Sequence, residues 1–240
     1  MCFLSQVKCE GCNKQNIPKT SPRFSIPRKV GYNSSTIMTE MRDAEIHHLI
    51  GGSLCLDFAN TLYGHAESIH EYLFDYRDLV LWSRYAGILN PAETEELLSK
   101  GEQAPAESEA VFHRAIQLRE TIYRIFASLA HDGFPQETDL DLLHQNWLES
   151  QAHSKLIRTV TGFVMGWEDR FAIDSMLWRI SDSAVDLLTS VELGRVKQCD
   201  RCDWLFVDRS RNQARRWCSM SACGNRVKMA RRYERAKQEK

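Results

Sequence analysis

The chain has no apolar run approaching the ~20 residues needed to span a bilayer. Its start, MCFLSQVKCEGC, lacks both the basic n-region and the long apolar h-region of a secretory signal. These absences predict a cytoplasmic protein with no membrane segment. HExxH, a glycine-rich phosphate loop and the G-x-S-x-G elbow are also missing, which removes the signatures of zinc proteases, nucleotide binders and α/β-hydrolases. No internal repeat, low-complexity tract or coiled-coil heptad run is present. Pro18, Pro22 and Pro27, half of the six prolines, crowd into residues 1–37. That segment has few apolar positions and a Ser/Asn/Thr-rich exit, so it reads as a disordered tail or as an extension upstream of a true start at Met38 or Met41. Its Cys9-x2-Cys12 pair has no neighbouring pair to complete four metal ligands.

What is present begins with a core-forming composition: 43% apolar and 26% charged residues are enough for an ordinary globular protein and argue against global disorder. The net charge of −1 hides an asymmetry. Residues 1–37 carry six Lys/Arg against one acid, residues 38–194 carry 11 against 26, and residues 195–240 carry 14 against five. A basic tail on an acidic body suggests an anionic partner, nucleic acid being the commonest, while the body's charge keeps the rest of the chain off phosphates. The plainer alternative is a solvated basic helix.

Between these limits helical signals dominate. LIGGSLCLDFANTL (49–62) alternates Leu54, Leu56 and Phe58 after a glycine pair, and predicts a short strand or a strand-to-helix turn. YRDLVLWSRYAGIL (76–89) has helical periodicity, Asn90-Pro91 makes an N-cap and first turn for AETEELL, and Glu107 to His131 forms a longer helix stopped by Gly133. Residues 139–149 add another helix. Gly162 and Gly166, among β-branched and aromatic residues at 156–171, predict a hairpin. Leu177, Ile180, Ala184, Leu187, Leu188 and Val191 mark an amphipathic helix that ends near Gly194.

Four of the eight cysteines fall in the last 42 residues. Cys199-x2-Cys202, fifteen intervening residues, and Cys218-x4-Cys223 give the spacing of a structural zinc site. Four soft thiolates with no carboxylate favour closed tetrahedral coordination of one Zn²⁺ per chain, whereas disulfides belong to small secreted scaffolds. WLFVD (204–208) and RRWC (215–218) read as two strands around a turn, and Cys223 as the start of a final helix. Zinc is expected to supply much of this module's folding energy, so its removal is expected to unfold the tail locally.

On that helix Lys228, Arg231, Arg232 and Arg235 share one arc, and Met229, Ala230, Tyr233 and Ala236 another. The apolar arc is expected to dock on the zinc-bound hairpin and leave the cations outward. Arg226, and Arg209, Arg211, Arg215 and Arg216 of the hairpin, extend the basic surface.

The stretch CDRCDWLFVDRSRNQARRWCSMSACGNRVKMARRYERA resembles the CGNR zinc-finger family, whose name is spelled by Cys223, Gly224, Asn225 and Arg226. Upstream, GGSLCLDFANTL and GWEDRFAIDSMLWRISDSAVDLLTS resemble the ABATE domain that accompanies it. The resemblance covers about residues 45 to 235. It implies a treble-clef-like, DNA-binding finger and a stress-related bacterial transcription regulator. The expected fold class is α+β: a mainly helical N-terminal domain with a small antiparallel β element, then the treble-clef-like finger. The expected organisation is the 1–37 segment, a sensing and dimerisation domain at 38–194, and the DNA-binding module at 195–240.

Asp57, Asn60 and Thr61 are polar groups within LCLDFANT, and either line a small-molecule effector pocket, form a dimer contact or cap a helix. An enzyme built on His47, His48, Asp57, His65 and His70 lacks any catalytic spacing. An RNA- or protein-binding zinc-ribbon adaptor stays open as an alternative, because finger architecture does not choose its partner. For double-stranded DNA a homodimer is expected, since one finger buries little DNA surface.

Overall fold

The computed structural model describes residues 49–63 and 70–238, with the side chains of Tyr63, Ala222, Arg231, Arg235, Ala236 and Gln238 outside the description. The 1–37 segment, its Cys9 and Cys12, Met38, Met41, and His47, His48 and His65 lie outside the described residues. Within them are seven α-helices and three two-stranded antiparallel sheets, the mainly helical α+β class expected. No helix among the described residues is long and apolar enough to cross a membrane.

The chain enters through α1 (Leu54–Ala59), then β1 (Leu62–Tyr63) pairs with β2 (His70–Glu71). The strand expected in LCLDFA is a helix, because Cys55, Leu56, Phe58 and Ala59 are all buried and a short run buried on every side has no period to read. The next helices are α2 (Tyr76–Tyr85) and α3 (Pro91–Gln103). Asn90 caps α3 with a full capping box: its side-chain Oδ1 accepts from Glu93 N at 2.9 Å, and Glu93 Oε2 accepts from Asn90 N at 2.8 Å.

The axis of the core is α4 (Pro105–Ala130), whose Ala115, Leu118, Ile122, Ile125 and Phe126 form one fully buried stripe. It packs on α1, α2, α3 and α5 (Glu137–Ala152). The expected hairpin follows as β3 (Ser154–Thr159) and β4 (Gly162–Trp167), then α6 (Ser175–Leu188) closes the core against α1 and α5.

The last elements, β5 (Val196–Gln198), β6 (Leu205–Val207) and α7 (Asn225–Gln238), have the cysteines in the segments that join them. Val196, Leu205 and Val207 belong to the same buried cluster as α1, α4 and α6, so the finger's first hairpin is a wall of the body's core.

Candidate metal centre and its basic helix

Two arms bring the cysteines together. Cys199 and Cys202 sit in the turn joining β5 to β6, where Asp203 takes a left-handed φ of 59° and Cys199 N donates to Trp204 O at 2.8 Å. The second arm returns through residues 215–218, tied down by Asp200 N donating to Arg216 O at 3.1 Å. Cys223 lies in a wide π turn (220–224) that leads directly into α7.

The expected strand RRWC does not form. β6 pairs instead with β5, and the backbone of the second arm is held by the Asp208 carboxylate. That carboxylate is fully buried and accepts from Ser210 N, Arg215 N and Lys197 Nζ, each at 3.0 Å. Burial alone would raise its pKa, but the bonds from Ser210, Lys197 and Arg215 hold it well below the usual carboxylate range.

All four cysteine sulfurs are buried and lie within 4.8 Å of one another, with no carboxylate or imidazole in the group. Zn–S bonds of about 2.3 Å in tetrahedral array put sulfurs ~3.8 Å apart. Cys202 and Cys218 sulfurs are 3.5 Å apart, and those of Cys218 and Cys223 3.6 Å. Without a cation the group cannot ionise fully. Cys199, accepting from Cys202 and Cys218, is held below the usual thiol range, while Cys202 and Cys218, bonded to Cys199, and the buried Cys223 are pushed above it. Four thiols crowded so closely fit one structural zinc ion, whose charge would offset their mutual repulsion.

The basic residues divide into two groups. Arg215 stacks 4.6 Å over Phe206 and donates to Cys218 O, Arg216 pairs with Asp200 at 2.6 Å, and Arg209 makes two 2.8 Å bonds to Glu192. These guanidinium groups are engaged within the protein. Arg211 is exposed on the turn. On α7, Arg226, Lys228 and Arg232 are exposed and form no ion pair among the described residues. Arg231 and Arg235 share that helix, their side chains outside the description.

The apolar arc of α7 does not dock as expected. Met229 and Tyr233 are 64% and 67% exposed, and Lys237 lies 5.3 Å over the Tyr233 ring. The helix packs on the π turn that launches it.

Asp57, Asn60 and Thr61 stand at the root of the finger. Asp57 Oδ1 accepts from Gly51 N at 2.7 Å, and Gly51 O in turn accepts from Val207 N at 2.8 Å. Asn60 pairs with β6 as a strand would: Nδ2 donates to Leu205 O at 2.9 Å, and Oδ1 accepts from Leu205 N at 2.8 Å. Thr61 Oγ1 donates to Phe58 O at 2.8 Å and accepts from Arg119 Nη1 at 3.3 Å. Further ties were not visible from spacing. Gln198 donates to Tyr123 Oη at 2.7 Å and lies 2.6 Å from His131 Nε2. Asn60→Ala would leave both buried backbone groups of Leu205 without partners, at about 1–3 kcal/mol each. We expect a loss of stability of roughly 2–5 kcal/mol and loss of amide protection at Leu205 in hydrogen exchange. Unchanged protection would remove Asn60 from this role.

A groove of about 410 Å³ lies elsewhere, between α2, α3 and α4, lined by Phe74, Tyr76, Leu98, Gly101, Ser108 and Phe112 among others. It does not include Asp57, Asn60 or Thr61.

A helical body whose core takes in the first hairpin of a four-cysteine zinc finger defines a two-part, finger-bearing protein. Residues 52–191, more than half of the chain, match the ABATE family, described as "Putative stress-induced transcription regulator". Residues 195–236 match the CGNR zinc finger. The chain belongs to the ABATE family and carries the CGNR finger at its C-terminal side. Both are of regulator and zinc-finger type rather than families of enzymes. No curated protein matches the chain.

Proposed function

We propose that the protein is a cytoplasmic, DNA-binding transcription regulator in which the zinc module at 195–240 presents α7 to duplex DNA. The observation that carries this reading is the division of the cations: Arg209, Arg215 and Arg216 are engaged by Glu192, Phe206 and Asp200, while Arg226, Lys228 and Arg232 stand exposed on one projecting helix with no ion pair among the described residues. The helix is 14 residues long, about 21 Å, enough to lie along a major groove. Arg211, and Arg231 and Arg235 of the same helix, complete the proposed interface, with Arg215 and Arg216 held beside it by Phe206 and Asp200.

The body at 38–194 senses an effector and dimerises in this proposal, and the family description supports the regulatory part. The groove beside α4 would accommodate a small molecule. The same helix reaches the finger through Tyr123 and His131, so a shift of α4 would be felt at Gln198.

Replacing Arg226, Lys228 and Arg232 together by alanine should weaken binding to duplex DNA and lower the slope of log K against log salt by about 0.9 for each phosphate no longer neutralised. Fluorescence anisotropy across a salt series measures both. An unchanged slope rejects these three cations as DNA contacts. The exposed Tyr233 favours a second reading, an RNA adaptor that stacks an unpaired base on the ring. Tyr233→Ala separates the two: it should cost single-stranded RNA affinity under that reading and leave duplex DNA affinity within about twofold under ours.

A further inference from the structure

The hairpin of β3 and β4 is unlike the rest of the body. Its register pairs Leu156 with Met165, Ile157 with Val164 and Arg158 with Phe163, each pair sharing one face of the ribbon. Leu156 is 61% exposed, Met165 48%, Phe163 66%, Ile157 39%, Val164 44% and Val160, at the tip, 105%. Large apolar side chains therefore face solvent on both sides of a two-stranded sheet whose edges pair with no other strand among the described residues. Such a ribbon is marginal alone, and three or more strands are normally needed to stabilise one.

We infer that β4 pairs with its own copy across a two-fold axis, joining two hairpins into one four-stranded sheet and two chains into a dimer. The two edges differ in charge. β3, SKLIRT, carries Lys155 and Arg158, the kind of cations that guard an exposed edge against pairing, whereas β4, GFVMGW, has neither a charge nor a proline. Nothing along β4 repels a second β4.

The side-chain order is also self-complementary. A two-fold axis at Val164 sets this residue beside the partner's Val164, and Phe163 beside the partner's Met165. One face then carries an unbroken row of Ile157, Val164 and their two copies. The other sets Leu156 and Met165 against the partner's Phe163, with the partner's Arg158 at the rim. A two-fold contact of this kind needs no other molecule. The dimer stands whether or not α7 meets DNA, so its test contains no nucleic acid.

Sedimentation velocity of the full, zinc-loaded chain from about 1 to 100 µM is the direct measurement. The expected species is twice the 27.7 kDa of one chain. Val164→Lys puts two like charges directly opposite and should raise the dissociation constant at least ~100-fold. As Val164 is 44% exposed, zinc content and circular dichroism should stay unchanged. Val164→Cys tests the register independently of that variant, because opposed antiparallel residues have Cα atoms ~4.5–5.5 Å apart, within disulfide range. It should form a covalent dimer on mild oxidation, while Met165→Cys, facing Phe163, and the unaltered chain should not. A monomeric unaltered chain overturns the inference, including the case in which the hairpin amides are protected because another segment of the same chain covers them. A Val164→Lys chain that remains dimeric, or equal crosslinking at 164 and 165, overturns the placement.

Discussion

Cys202→Ser will strip zinc from the protein and weaken the body as well as the finger. One thiolate fewer leaves three ligands around the ion, and structural zinc supplies about 10–16 kcal/mol to isolated fingers, as much as a whole domain's usual stability. The loss is not confined to the tail, as sequence reasoning expects, because Val196, Leu205 and Val207 line the body's core and Leu205 is bonded to Asn60. Expected results are zinc content falling from one per chain to near zero, loss of amide protection in β5 and β6, and a lower unfolding temperature for α1 and α4. Cys55 reports the last effect. It is fully buried on α1 and burial pushes its thiol up to about 11, so it reacts with thiol reagents only when α1 opens. Mass mapping of labelled Cys55 should show faster reaction after chelation. An unchanged rate would sink the coupling while leaving the zinc site intact.

Glu71→Ala should cost the body as much stability as truncating one of its large core side chains. The Arg119 side chain is only 2% exposed, and its guanidinium donates to Glu71 Oε1 at 2.6 Å and Oε2 at 2.7 Å. Its Nε has no hydrogen-bond partner among the described residues, so Glu71 is its principal compensation. The same carboxylate accepts from Tyr72 N and Leu73 N, both at 2.9 Å, fixing the chain as it leaves β2. Removing one partner of a buried pair strands the other charge, at about 3–5 kcal/mol. For a chain of this size that lowers the melting temperature by roughly 6–20 °C. Glu71→Leu combined with Arg119→Met should recover only the part of the loss that comes from the stranded charge, since leucine cannot accept the bond from Leu73 N. Calorimetry decides: a loss under ~1 kcal/mol for Glu71→Ala rejects the pair as a structural anchor.

The readable parts share a common physical basis. The N-cap at Asn90, the stripe of α4 and the metal ligands are local or periodic, so spacing along the chain predicts geometry in space. Unreadable parts depend on what another element does. Residues 215–218 look like a strand, yet β5 already supplies the ladder to β6 and Asp208 takes Arg215 N. Arg215 and Arg216 look like surface cations from composition, and only the approach of Phe206 and Asp200 engages them. The apolar arc of α7 has the right period for docking, but the π turn sends the helix away from the hairpin.

By itself the sequence determined the helical class, the place of the hairpin and the four cysteines of the metal centre, because each is written in contacts between residues close in the chain or in a repeated period. Tertiary structure alone decided that Asn60 completes β6, that Arg119 meets Glu71 and that the finger is a wall of the core. These contacts join residues 145, 48 and more than 100 positions apart. Their partners are set by how whole elements pack to bury apolar surface, which no local pattern along the chain encodes.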